Sequence, residues 1–277
     1  MQKSQNKFSS NLLKGILNRL KVKDAGSYKK AGLNWFSIKR LKHLPADREH
    51  IYNLKGQAIH FTNGPELLHS LVEIFGDEVY KTSFDTPTPY ILDCGANIGL
   101  SVLYFSLHYP NAEVDAFEPD PANFARLKSN APANNKIRLH NEAIWKENTT
   151  LSFINDGTQD SKIGESSKRN TIQVKARRLK DLLGRKVDFL KLDIEGAEYE
   201  VLKDCREELK NVDQFFLEYH GSFKQVNELT DIFQWMEQSG FVYYIKESAN
   251  VYPTPFYRSD RIVPYDVQLN IFCFRKK

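Results

Sequence analysis

Residues Tyr90–Leu100 read "YILDCGANIGL". An apolar run leads to a carboxylate, Asp93, then to Gly95 and Gly99, then to further apolar residues. A buried strand, a glycine turn and a helix start, in that order, open a doubly wound sheet whose ligands lie outside the carboxyl ends of its strands. The spacing is Gly-x-x-x-Gly, not the GxGxxG that lets a helix N-terminus approach a pyrophosphate. Asp93 also opposes a phosphate, because like charges a few ångströms apart repel even at a protein's effective dielectric.

A cationic ligand turns that repulsion into attraction. S-adenosylmethionine carries a sulfonium and an ammonium and no phosphate, so an acid before the turn suits it. The turn residues expected to hold it are Asp93, Gly95, Asn97 and Gly99. Glu118 closes the next apolar run, "AEVDAFE", 19 residues after Gly99. A carboxylate there can take both ribose hydroxyls. "NEAIW" follows as the end of a third strand, where Glu142 and the backbone at Ala143 are expected to meet the adenine edge.

The flanking chain sets the scale. Its 277 residues are 41% hydrophobic and 27% charged, with a net charge of +4, which suits a globular protein with an enzyme-sized core. The charge is uneven: residues 1–30 carry eight Lys/Arg against the single acid Asp24, and the rest is slightly acidic. That near-neutral body lacks a nucleic-acid signature, so no nucleic-acid partner is expected. Cys94, Cys205 and Cys273 form no CxxC pair, which argues against a disulfide framework or zinc site and for a reducing, cytoplasmic setting. No apolar run is long enough for a membrane span.

Phe8, Leu12, Leu13, Ile16, Leu17 and Leu20 recur at helical spacing near the N-terminus. That helix either lies peripherally on an anionic membrane surface or docks on the protein body or a partner subunit. Residues 1–80 are read as a helical and mixed segment that caps, docks or mediates homodimerisation. Within it "GQAIHF" predicts a short strand, Asn63-Gly64-Pro65 a turn, and "ELLHSLVEIFG" a helix stopped at Gly76. The Pro- and Thr-rich "TSFDTPTP" is a connector, and residues 81–277 are the catalytic domain.

From Tyr90 onward strands and helices alternate, which predicts βαβ units and a mostly parallel α/β sheet. Helices are expected at Gly99–His108, Pro121–Ala131 with Asp120 as cap, Gly196–Leu209 and Glu228–Ser239. "FVYYIKE" and "VQLNIFCF" have no helix between them, so the sheet is expected to finish with an antiparallel strand. "GESSKRN" is a polar connector.

The pieces "DCGANIGLSVLYF", "FEPDP", "NEAIW" and "LKLDIEGAEYEVL" together resemble the FkbM family of S-adenosylmethionine-dependent O-methyltransferases. The likeness runs from about Leu92 to Glu218, with "DIEGAE" at Asp193–Glu198 its most specific part. It implies a class I methyltransferase (Rossmann-like) fold and methyl transfer to a hydroxyl of a saccharide or secondary metabolite, that is, a small-molecule or glycan acceptor. Carried over, Asp93, Gly95 and Gly99 hold the methionine end and Glu118 the ribose.

A sulfonium donor is already activated, so the enzyme aligns the acceptor and removes its proton. Asp193 and Glu195 end one predicted strand, and Glu218 and His220 its neighbour; alternate residues of a strand share a face. Three readings stand. His220 or one of the carboxylates is a general base oriented by the others; or Asp193, Glu218 and His220 hold a divalent ion; or these are ion-paired and capping groups, as the helix-start position of Glu198 suggests. Tyr252, Phe256 and Tyr257, beside Arg258 and Arg261, form either a substrate loop or packing at the sheet edge. The alternatives in other classes are a Rossmann-fold nucleotide-sugar or NAD oxidoreductase, a non-catalytic adenosylmethionine-binding protein and a nucleic-acid methyltransferase.

Overall fold

The computed structural model describes residues 25–154, 171–257 and 263–276. The N-terminal helix pattern, the "GESSKRN" connector, Arg258 and Arg261 lie outside the described residues. The chain divides into two compact units between Lys81 and Thr82. Among the described residues no helix is long and apolar enough to cross a membrane.

The first unit contains α1 (Ala25–Lys30), α2 (Trp35–Lys42), a hairpin of β1 (His50–Leu54) and β2 (Gln57–Phe61), and α3 (Gly64–Leu71), which continues as one π-helical turn to Gly76. Asn63-Gly64-Pro65, expected as a free turn, instead starts α3: the Asn63 side chain accepts from the Glu66 N–H, and Pro65 sits in the first turn. Turn formers and helix caps draw on the same residues, because both use a short polar side chain to satisfy nearby backbone.

The second unit is built on seven strands in the order β11-β12-β10-β9-β3-β4-β5. In chain order they are β3 (Tyr90–Cys94), β4 (Glu113–Phe117), β5 (Ile137–His140), β9 (Val187–Leu192), β10 (Val212–Gly221), β11 (Phe241–Glu247) and β12 (Val267–Arg275). Strands β10, β9, β3, β4 and β5 run parallel, whereas β12 runs antiparallel to both β10 and β11. Helices α4 (Leu100–His108), α5 (Pro121–Asn130), α6 (Glu198–Cys205) and α7 (Val226–Gln238) follow β3, β4, β9 and β10. This is the mostly parallel α/β sheet with a C-terminal antiparallel strand that the alternation of elements predicts.

Strand order reverses between β3 and β9, so their carboxyl ends flank the switch point where such sheets bind ligands. Both strands are buried along their whole length, as expected for central parallel strands. The expected third strand is split. β5 ends at His140, and β6 (Ala143–Trp145) joins a separate three-stranded sheet with β7 (Thr149–Ile154) and β8 (Thr171–Arg178), in the order β6-β8-β7. Asp120 caps α5 by accepting from Ala122 and Asn123 N–H, each at 2.8 Å. The helix expected over Gly196–Leu209 starts later, at Glu198, and gives way to a 3₁₀ turn at Glu208–Asn211.

Candidate functional site

The glycine turn after β3 is folded tightly onto its neighbours. Gly95 has φ +87°, and a Cβ there would fall 1.7 Å from the Asp193 carbonyl oxygen. Gly99, at φ +91°, would set a Cβ 2.7 Å from Leu127 Cδ1 of α5. Both positions therefore require glycine for conformation and for space. The Gly95 and Ala96 N–H groups donate to the Phe117 carbonyl, and Asn130 Nδ2 holds the Ile98 carbonyl at 2.8 Å.

Asp93 stands differently from its expected place. Its side chain is completely buried: Oδ2 accepts from Ser101 Oγ at 2.5 Å, and Oδ1 faces Lys191 Nζ at 3.4 Å. Burial pushes its carboxyl up, and the Lys191 and Ser101 partners pull it back. The cation opposite Asp93 is thus a lysine of the chain itself.

Asn97 occupies the middle of the turn with φ +48°, a conformation Asn tolerates better than most residues. Its Oδ1 is buried without a hydrogen-bond partner. Glu118, just past β4, accepts from the Asn97 N–H and the Asp120 N–H, both at 2.9 Å. Burial outweighs these bonds and raises its carboxyl to about 8. An orphaned acceptor and a carboxyl short of donors fit a ligand that brings an ammonium and hydroxyls. Ala143 is buried at the start of β6. The Glu142 carboxylate accepts from Arg177 at 2.9 and 3.2 Å.

On the acceptor side the structure gathers Asp193, Glu195, Glu218 and His220. Ligating atoms of Asp193, Glu195 and His220 lie within 4.8 Å of one another. His220 Nε2 is 3.6 Å from Glu195 Oε2 and 3.7 Å from Glu218 Oε1. Glu218 and His220 share a face of β10, as alternation requires. Glu195 arrives by another route than the expected strand pleat. β9 stops at Leu192, and Glu195 turns back in the left-handed region at φ +56°. The Tyr265 hydroxyl donates to its carbonyl at 2.6 Å, and the Tyr265 ring lies 4.7 Å from that of His220.

Glu198, expected to serve the helix alone, organises this corner. It is buried at 1% exposure, and Oε1 accepts from the Ile194 and Gly196 N–H groups at 3.2 and 3.1 Å and faces His220 Nδ1 at 3.2 Å. Burial alone would lower the His220 pKa; the hydrogen bond to Glu198 and the charges of Glu198, Glu195 and Asp193 overcome it and raise it to about 10. His220 is therefore an imidazolium at neutral pH, and it supplies the positive charge at the centre of the acids.

Three further residues were not singled out by the sequence reading. Lys191, Tyr265 and Ser248 each touch a candidate residue, the last donating to Glu218 Oε1 at 2.6 Å. "FLKLD" offered a signal for the first, since a lysine inside a buried parallel strand demands partners. In the aromatic tail, Tyr252 stacks on Phe223 at 5.7 Å and donates to Asp266 at 2.6 Å, while Phe256 and Tyr257 are exposed.

Residues 93–243 match the family model described as the methyltransferase FkbM domain. Methyltransferase sdnD of Sordaria araneosa is 30% identical over 185 residues, covering 49% of this chain and 68% of that protein. The 2-O-methyltransferase NoeI of Sinorhizobium fredii is 29% identical over 157 residues, covering 49% of this chain and 65% of the relative. A solved structure, methyltransferase FkbM from Methylobacillus flagellatus, superposes with a TM-score of 0.46 at 15% identity, over 87% of this chain and 62% of that one.

Proposed function

The chain belongs to the FkbM methyltransferase family, and on that premise we propose that it moves a methyl group from S-adenosylmethionine to a hydroxyl of a small-molecule or glycan acceptor. Membership makes the chain a methyltransferase and sets aside the oxidoreductase reading. The hydroxyl, as the kind of acceptor, is our reading of the site. The observation that carries it is the convergence of Glu195, Glu218 and His220 at the carboxyl ends of β9 and β10, on the same side of the sheet as the switch point, where a proton acceptor is needed.

The turn at Gly95–Gly99, the Asn97 side chain and Glu118 would hold the donor, with Glu118 on the ribose side. When bound, S-adenosylmethionine supplies a methyl group already activated on a sulfonium. This chain's own residues handle the acceptor. With His220 protonated, the proton of the acceptor hydroxyl passes to a carboxylate; Glu195 and Glu218 both lie against Nε2, at 3.6 and 3.7 Å, and Glu195, the more exposed of the two, is our choice. The imidazolium stabilises that carboxylate in its ionised form and orients it, while Glu198 fixes the imidazole ring. Asp193 and Glu218 complete an acidic wall that disfavours an anionic acceptor and suits a neutral polyol. The 2-O-methyltransferase name of one relative supports transfer to oxygen.

Titration calorimetry with S-adenosylhomocysteine and, separately, NAD tests the donor half. A screen of neutral hydroxyl compounds with radiolabelled methyl donor tests the acceptor half. Binding of adenosylhomocysteine but not NAD, followed by label in an alkali-stable ether, is the expected result. Label on nitrogen or carbon would leave the family intact and overturn the hydroxyl reading.

A further inference from the structure

Lys191 does more than neutralise a buried acid. Its side chain is 3% exposed in the middle of the sheet, beside the switch point, and Asp93 is its register partner on β3. A buried acid needs one counter-charge. The Lys191 ammonium instead faces three different parts of the site: it donates to the Gly95 carbonyl at 2.7 Å and forms ion pairs with Asp93 Oδ1 at 3.4 Å and Asp193 Oδ2 at 3.2 Å. The first belongs to the donor turn itself, the second to the strand under it and the third to the loop that carries Glu195.

The backbone repeats the connection. The Asp193 N–H donates to the Cys94 carbonyl at 3.1 Å, and Gly95 lies against the Asp193 carbonyl so closely that no Cβ fits between them. The loop itself is held in an uncommon conformation, with Glu195 and Gly196 both at positive φ. Such a loop has alternatives, and its carboxylate must face His220 to be useful.

We infer that Lys191 is a positioning residue that ties the donor turn to the acceptor loop, so that filling the donor site orders the loop bearing Asp193 and Glu195. The inference rests on the donor reading given above. It makes the acceptor wall complete only when the donor is in place.

The test is hydrogen–deuterium exchange of the full chain with and without saturating S-adenosylhomocysteine, read at the peptides spanning 93–99 and 193–198. In the wild type both should slow by about tenfold or more on binding. Two variants cut the tie from opposite ends. Asp93→Asn with Lys191→Met removes the buried pair as a unit, which avoids stranding a charge. Asp193→Ala removes the solvent-facing end and leaves the buried pair intact. In either variant protection at 93–99 should persist, and protection at 193–198 should fall below about twofold. Should the first variant fail to fold, the second decides alone. Undiminished protection at 193–198 in Asp193→Ala overturns the tie and leaves the donor reading standing. Failure of the wild type to bind adenosylhomocysteine overturns both.

Discussion

Glu198 Oε1 lies 3.2 Å from His220 Nδ1 while also accepting the Ile194 and Gly196 N–H groups. One oxygen thus fixes the imidazole and the loop that brings Glu195 to it. Replacing Glu198 by Gln keeps the shape and removes the charge. The His220 pKa should then fall from about 10 toward the ordinary histidine range, as followed by imidazole chemical shifts. Methyl transfer should drop by about 10²-fold, with adenosylhomocysteine affinity unchanged. An unmoved His220 titration would contradict the assignment of Glu198.

The same imidazolium sets an upper pH limit. Transfer should be sustained through neutral pH and decline as pH passes about 10, where His220 loses its proton and its hold on Glu195. Glu198→Gln should shift that limit downward. A histidine base would behave oppositely, gaining activity as the ring deprotonates, so the direction of the alkaline limb separates the two mechanisms.

Stability should carry its own pH signature. Glu118 and His220 both hold a proton more tightly in the folded state than in the unfolded chain. Their contributions are therefore full below the unfolded values and are lost as pH rises, for Glu118 between 4.5 and about 8 and for His220 between 6.5 and about 10. Urea midpoints of the ligand-free protein should fall across that range. Glu118→Gln should flatten the lower part of the curve and weaken adenosylhomocysteine binding by about tenfold.

Asn97→Gly separates ligand binding from folding at a single position. Glycine keeps the left-handed backbone and deletes the orphaned Oδ1. Thermal stability should hold or rise slightly, because an unsatisfied buried acceptor is removed, and adenosylhomocysteine affinity should fall by about tenfold. By contrast Glu142→Gln should leave affinity within about twofold, since that carboxylate already serves Arg177.

Asp193, Glu195 and His220 are grouped closely enough to hold a divalent ion, and our reading instead gives the positive centre to His220 itself. EDTA treatment followed by activity measurement should show no loss, and restored activity on adding magnesium would reverse that expectation.

The alternating elements and the glycine turn were legible because they rest on local rules: apolar runs for buried strands, an Asp-Pro pair at the start of α5, two glycines where no side chain fits. Asp93 marks where local rules end. The acid does call for a cation, but the cation is 98 residues away in sequence, and pairing of β3 with β9 is what brings it there. Glu195 was placed near His220 by assuming a strand that continues to residue 195; the left-handed turn that does the work has no sequence signal at a glutamate. Glu198 was read from its position in a helix, which says nothing of a histidine on the next strand. The split at Asn141–Glu142 was likewise invisible, because "KIRLHNEAI" holds no glycine or proline to mark a break.

The placement of β12 has a consequence for synthesis. Residues 267–275 form an interior strand, bracketed by β10 and β11, and among the described residues β11 has no other neighbour in the sheet. As the chain leaves the ribosome, β3, β4, β5, β9 and β10 can assemble in turn. β11 must wait for a ladder partner made after it, held until then by the packing of Phe241 on Phe215 and of Tyr243 on Phe233. The last step of sheet assembly is an insertion rather than an addition, and a nascent chain stalled before residue 267 would hold a complete donor turn and an unfinished edge.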